Sequence, residues 1–332
     1  MHHLVVKRIL AYSFAIAGLI WVFHDINAHR LLAAMSIANW RFIVLAITVD
    51  ILTYILQGLR WKLLLAPVGS LSCLRASQAI YAGLFTNELV PLRFGELVRA
   101  LLVSRWLSTR FASVLPSIVV ERFLDAVWLA AASGLAAILV PLPKEFINAG
   151  YALGCIVLLA AVLFLWLVLR RAKGLQRDTP SSSSRLVRGV SRFTWQFASG
   201  LRNIGEGHRV VLAALLSAGM LTCQVLAFWF ILLGCGIDLP LWAGTIMLLI
   251  VRLGTAIPNA PANVGSTQFF SVLGLRVFGV EKTVAAGFSI TYFLVLTIPL
   301  WVIGLFAISK AGLKFSAIRS DKRWALFSSC QS

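Results

Sequence analysis

Long apolar runs separated by short clusters of charged and turn-forming residues dominate this chain, and they predict helices of membrane-crossing length. Residues 9–23 form the first run. Lys7 and Arg8 precede it and no small-x-small cleavage site follows before His24-Asp25-Ile26-Asn27, so it reads as an uncleaved first span. A second helix is expected over 41–59, ending at Arg60-Trp61-Lys62, where a ring and two cations suit a cytoplasmic interface. Residues 72–90 are apolar but end in Asn87-Glu88 and Pro91, as either a short span or a helix that enters and turns back. A basic stretch with Arg99, Arg105 and Arg110 then reads as cytoplasmic. Residues 112–140 can cross with tilt before Pro141-Leu142-Pro143, and 151–169 return to Arg170-Arg171-Lys173.

Segment 170–209 holds nine basic and two acidic residues, which marks it as a cytoplasmic loop. Within it, Leu186, Val190, Phe193, Phe197, Leu201 and Ile204 recur at helical spacing opposite Arg185, Arg188, Arg192 and Arg202, the pattern of an in-plane amphipathic helix. Residues 210–233 and 239–251 make the next pair. The stretch 258–265 cannot continue a regular helix, because Pro258 and Pro261 remove backbone donors and clash with the preceding turn. Residues 269–280 resume an apolar character and 283–308 make a full final span, followed by a basic tail. Two cytoplasmic termini require an even number of crossings. The architecture expected is therefore all-α and polytopic, one transmembrane domain over 1–332 with six to eight spans and short broken or re-entrant elements.

Composition agrees with the pattern. The 332 residues are 60% hydrophobic and only 13% charged, with a mean hydropathy of +0.89, against about 25% charged in a soluble domain. The formal charge of +18 gathers in loops, which describes topology and attraction to anionic lipid rather than nucleic acid, since no soluble basic face carries it. Cys73, Cys155, Cys223, Cys235 and Cys330 show neither metal-ligand nor disulfide spacing, and the histidines form no metal array. No cofactor is expected. Trp21, Trp40, Trp61, Trp106, Trp166 and Trp242 lie near expected helix ends, as an aromatic belt.

Three constellations place polarity at membrane depth. The first is Asn87-Glu88-Leu89-Val90-Pro91-Leu92-Arg93-Phe94-Gly95-Glu96-Leu97-Val98-Arg99. Arg93, Glu96 and Arg99 stand three apart, so Glu96 would hold one arginine while the other stays free for phosphate; the alternative is a solvated turn of balanced charges. The second is Glu121-Arg122-Phe123-Leu124-Asp125, where charge inside an apolar run is expensive unless paired or wet. Its alternatives are a structural ion cluster, or acid–base or divalent-ion chemistry, for which no nucleophile or complete ligand set is visible. The third runs from Pro258 and Asn259 through Pro261, Asn263, Gly265, Ser266 and Thr267 to Gln268, with Arg252 upstream. Interrupted helices free backbone groups that can face a polar substrate, although a simple kink has the same signature. One broken piece in each half points to a pseudo-repeat with a site between the halves.

These pieces resemble the lysylphosphatidylglycerol synthase transmembrane region, the flippase-like integral membrane family. The likeness rests on Arg60-Trp61-Lys62, on Asn87 through Arg99 with its Pro-Leu-Arg-Phe-Gly-Glu-Leu-Val-Arg core, on Glu121-Arg122-x-x-Asp125, and on Pro258-x-x-Pro261 with Gly265. Ala262 stands where the family commonly has glycine, and Gln268 where many members have glutamate, so a less mobile loop and no carboxylate role at 268 are implied. The bifunctional relatives add a soluble aminoacyl-transferase domain; none follows the last helix here, so aminoacylation is not expected.

The resemblance implies a bacterial inner-membrane protein that moves or distributes a lipid with a polar head. Its lipid partners would be an anionic or aminoacylated phospholipid, a polyprenyl-linked sugar or a hopanoid-type lipid. Lipid-pathway enzymes or a second copy of the chain are the implied protein partners. In this reading Arg93, Arg99 and Arg122 contact the headgroup, Glu96, Glu121 and Asp125 orient them, and the Pro261–Gly265 element lines or gates the route, with Asn87, Glu88, Arg252, Asn259, Asn263 and Gln268 beside it. Two rivals remain: a membrane enzyme transferring a group from a lipid carrier through Glu121 or Asp125, and a regulatory or scaffold subunit acting through the basic amphipathic helix.

Overall fold

The computed structural model describes residues 2–36, 39–89, 94–139, 207–255 and 260–311, with parts of 148–159. Every regular element among the described residues is helical. In chain order they are α1 (His2–Phe23), α2 (Ala28–Ser36), α3 (Trp40–Leu65), α4 (Cys73–Leu89), α5 (Gly95–Trp106), α6 (Phe111–Leu139), α7 (Gly207–Gly234), α8 (Leu241–Gly254), a 3₁₀ turn (Pro261–Asn263), α9 (Ser266–Val277) and α10 (Lys282–Lys310). Pro91 and Arg93, Pro258 and Asn259, most of the expected 151–169 span, the amphipathic helix of 186–204 and the basic tail lie outside the described residues.

Three helices among the described residues are long and apolar enough to cross a membrane, Trp40–Leu65, His208–Gly234 and Lys282–Lys310; Tyr12–Phe23 and Leu241–Gly254 are shorter apolar helices. The chain is a multi-pass membrane protein whose outer surface suits lipid. Ile16 and Ile20 on α1, Val211 and Leu215 on α7, and Val302, Leu305 and Phe306 on α10 are all large, apolar and exposed, a pattern expected where the surrounding solvent is hydrocarbon.

Helix α3 organises the bundle. Asn39 caps it by accepting a hydrogen bond from the Arg41 amide at 3.1 Å. The Asn39 amide in turn donates to Gly234 O at 2.7 Å, joining the start of α3 to the end of α7. At the other end of the same pair, Leu64 packs with Ala213, so the two helices run antiparallel. One apolar core joins α3, α4, α5 and the start of α6 to the end of α10. A second joins α1, α3, α7, α8 and α9 to the first half of α10.

The two broken regions both form helical hairpins. Helices α4 and α5 have 17 and 12 residues, below the about 20 needed to cross. They double back on one another, and a Cβ on Gly95 would stand 1.8 Å from Gly83 O. Helices α8 and α9 likewise pack antiparallel, with Gly254 against Phe270 and Gly274 against Met247.

Three sequence expectations need correction. The second helix does not stop at residue 59 but continues to Leu65, and Arg60 and Trp61 are fully buried rather than interfacial; only Lys62 of that trio is exposed. Arg99 is not part of a cytoplasmic basic surface, being 3% exposed inside α5. Helix α2 was not anticipated, because its nine residues are too few for a clear period.

The Gly83–Gly95 contact yields a test. Gly95→Ala should lower stability by about 1–3 kcal/mol through overpacking against backbone, seen as a fall in thermal midpoint in detergent micelles. Gly219→Ala, in the middle of α7, whose Cβ would meet only Leu56 Cδ1 at 3.8 Å, should leave the midpoint at or slightly above the wild-type value.

Candidate functional site

The site is built on a polar stripe of α3. Asp50, Thr53, Gln57 and Arg60 recur at intervals of three and four, and all are buried, so the stripe faces inward while the remaining surface of the helix stays apolar. Facing it, the first half of α6 presents Ser117, Glu121 and Asp125, again at helical spacing. Helix α7 contributes Ser217 and α5 contributes Arg99.

Glu121 is the hub, with no exposed surface. Its Oε1 lies 3.1 Å from Arg60 Nη2 and accepts from Gln57 Nε2 at 2.9 Å. Its Oε2 lies 3.0 Å from Arg99 Nη1. Arg60 Nη1 donates to Ser217 Oγ at 2.7 Å and also to the Asp125 carboxylate. The Arg99 guanidinium stands 4.8 Å over the Trp61 ring, whose Nε1 donates to Ser117 Oγ at 3.0 Å. One carboxylate thus joins α3, α5 and α6, and Arg60 extends the network to α7. Burial of these charges is tolerable only because each is paired and hydrogen-bonded.

Arg122 and Glu96 form an outer layer. Arg122 Nε lies 2.9 Å from Glu96 Oε1 and its Nη1 lies 3.6 Å from Asp125 Oδ2, and both partners are partly exposed. The first two constellations therefore meet, with partners different from those the sequence suggested. Glu96 pairs with Arg122, one helix away, and Arg99 pairs with Glu121. Arg99 was expected to be available for phosphate; buried against Glu121 and Trp61, it is not.

A cavity of ≈ 440 Å³ lies beside this network. Helix α3 lines it with Asp50, Tyr54 and Gln57, α6 with Arg122 and Asp125, α7 with Ser217 and Gln224, α8 with Arg252, and α10 with Tyr292; Asn263 of the broken loop also reaches it. Two lining groups have unused capacity. Asp50 is 5% exposed and its Oδ2 has no hydrogen-bond partner. Arg252 is exposed toward the cavity and makes no ion pair with any described residue. The lining brings together two guanidinium groups, Arg122 and Arg252, and two carboxyl groups, Asp50 and Asp125.

The third constellation divides. Arg252 and Asn263 line the cavity, whereas Gly265 and Gln268 build the loop behind it. Ala262 and Asn263 adopt φ values of +56° and +52°, a left-handed conformation costly for a residue with a Cβ; Ala262 is where the resembled family prefers glycine. Gly265 has φ +82°, and a Cβ there would stand 2.2 Å from Ala15 O of α1, so only glycine fits. Gln268 is buried and its Oε1 accepts from the Gly265 amide at 2.7 Å, a task that an amide oxygen performs without a carboxylate. Asn87 Oδ1 accepts from the Gly95 amide at 2.7 Å, closing the first hairpin. Glu88 accepts from Trp301 of α10. Arg93 and Asn259 lie outside the described residues.

Sequence reasoning missed Asp50, Gln57, Arg60, Ser217 and Gln224. The signal was present in α3: polar residues at 50, 53, 57 and 60 within an apolar helix mark an inward face. Ser217 and Gln224 stand two turns apart on α7 in the same way.

A family model described as the lysylphosphatidylglycerol synthase TM region matches residues 8–304. The chain is similar to a UPF0104 membrane protein of Methanocaldococcus jannaschii, 22% identical over 294 residues that cover 84% of this chain and 86% of the relative. It is similar also to a UPF0104 membrane protein of Methanothermobacter thermautotrophicus, 23% identical over 342 residues, covering 95% and 97% of the two chains.

Glu121→Gln removes the charge that Arg99 and Arg60 share. Breaking a buried pair from one side costs roughly 3–5 kcal/mol, so the variant should show a sharply reduced folded yield by size-exclusion chromatography in mild detergent. Gln57→Ala, which deletes one neutral donor to the same carboxylate, should cost about 1–3 kcal/mol and remain purifiable.

Proposed function

This chain belongs to the lysylphosphatidylglycerol synthase TM region family, and from that premise we propose that it moves lipid headgroups between the leaflets of the cytoplasmic membrane. The observation that carries the reading is the polar cavity of α3, α6, α7, α8 and α10, enclosed in a bundle whose outer surface is apolar. A headgroup crossing hydrocarbon needs a hydrated or hydrogen-bonding path while its tails stay in lipid.

Arg252 and Arg122 are the cations placed to meet a phosphate, because guanidinium donors match its oxygens and stay charged in an apolar setting. Arg122 is held by Glu96 and Asp125, whereas Arg252 has no such partner among the described residues, so Arg252 makes the stronger contact. Asp50 and Asp125 complement the positively polarised part of a headgroup, such as hydroxyl or amino hydrogens. A lining that offers both guanidinium and carboxyl groups favours a headgroup carrying both acceptor and donor groups over a bare anion. Asn263 and the strained turn around it form one edge of the route. The basic segments 170–209 and 310–323 set both termini on the cytoplasmic side. This account requires no bond making, so the protein acts as a transporter.

The test is headgroup accessibility in liposomes holding purified protein, with phosphatidylglycerol labelled on its headgroup and a membrane-impermeant quencher outside. Wild-type protein should expose inner-leaflet label far faster than protein-free vesicles; equal rates would end the proposal. Arg252→Gln removes a charge-assisted contact worth roughly 1.5–3 kcal/mol, so translocation should slow about tenfold or more while folded yield stays at the wild-type level.

A further inference from the structure

A second compartment, of ≈ 400 Å³, opens between α6, α8 and a segment that presents Gly150, Tyr151, Gly154, Cys155 and Leu158. It shares its helices with the polar cavity. On α6, Arg122, Asp125 and Leu129 line the polar cavity, and Ala130, Ser133 and Gly134 carry the same helical stripe into the second compartment. On α8, Leu248 and Arg252, with Thr255 just past the end of the helix, line the polar cavity, while Ile246, Leu249, Ile250 and Leu253, on another face of the same helix, line the second. Along α6, polar lining therefore gives way to apolar lining, and α8 borders each compartment with a different face.

The second compartment has little to hydrate. The buried residues Ala136, Ile246, Leu249 and Ile250 cluster at its α6–α8 wall, with Leu129 packed against them. The Ser133 hydroxyl is occupied, donating to Leu129 O at 2.8 Å. Glycines leave it wide: a Cβ built on Gly134 or on Gly154 would meet nothing within 4 Å. Glycine weakens a helix interior, and at Gly95 it is repaid by the close approach of another helix. At Gly134 and Gly154 it leaves only open room.

The geometry points to an acyl-chain site: the groove between α6, α8 and residues 150–158 holds one fatty acyl chain of a phospholipid whose headgroup occupies the polar cavity. The lining runs from Ala130 to Ala136 on α6 and from Ile246 to Leu253 on α8, roughly 9–11 Å at about 1.5 Å per residue, so the groove takes the larger part of a chain that fills one leaflet, roughly 15 Å, half of a core about 30 Å thick. The site rests on the lipid reading above and adds to it that one tail enters the protein instead of remaining in bulk lipid. Chain length and shape then become determinants of selection.

The experiment uses the full chain in vesicles containing phosphatidylglycerol with a diazirine midway along one acyl chain, followed by mass spectrometry of the labelled peptides. Labelling of residues 130–134, 150–158 and 246–253 should exceed labelling of lipid-facing Leu135, Val302 and Leu305 by about tenfold, a preference of about 1.4 kcal/mol. Gly134→Leu and, separately, Gly154→Leu should abolish the excess by filling the groove, and Gly134→Ala should retain most of it. Even labelling over the outer surface overturns the site, as do cross-links that place this chain's own residues 160–206 in the groove. Failure of the two readings is distinguishable. If Arg252→Gln slows headgroup movement while label spreads evenly, only the acyl-chain site falls. If the groove is labelled but wild-type vesicles move no headgroup, the site stands and translocation falls.

Discussion

The structure depends on one buried carboxylate. Glu121 receives Arg60, Arg99 and Gln57 from two other helices, and an ionised group at that depth is stable only while those partners hold their places. Four helices are thereby fixed in register by polar contacts, where apolar packing between helices in lipid would specify position only loosely. The same network keeps Arg122 and Asp125 at the wall of the cavity and aligns the α3 stripe with α6.

Around that hub, the two helical hairpins do different work. The α4–α5 hairpin is closed tightly by Gly83, Gly95 and Asn87 and delivers Arg99 to the hub and Glu96 to Arg122. The α8–α9 hairpin includes a turn in which two residues with side chains sit in left-handed conformations, and it delivers Arg252 and Asn263 to the cavity. One hairpin supports the charge network, and the other supplies the groups that face the open space.

Much of this was legible in the sequence. The apolar runs gave most helices to within a few residues, since hydrocarbon demands continuous apolar stretches, and the Glu121-Arg122-x-x-Asp125 spacing identified one wall of the cavity. Arg60 was not legible, because Arg-Trp-Lys after an apolar run is also the chemistry of an interfacial helix end; only a partner 61 residues away distinguishes the two. Arg99 was misjudged for a related reason. Its neighbours in sequence suggested a local pair with Glu96, but the hairpin turns it toward α6. Asp50 was overlooked since a lone acid within an apolar helix has no local motif, and its role emerges only from the inward face it shares with Gln57 and Arg60.

The contact of Gly265 with α1 has a mechanical meaning. Gly265 meets Ala15 through backbone atoms, and a Cβ on Gly18 would stand 3.1 Å from Gly265 O. Phe269 is gripped between Phe14 and Trp21, with ring centroids 6.0 and 5.0 Å away. Main-chain surfaces have no rotamers with which to absorb a shift. Any tilt of the first helix is therefore transmitted to the turn that presents Asn263, making α1 a lever whose fulcrum is a single glycine.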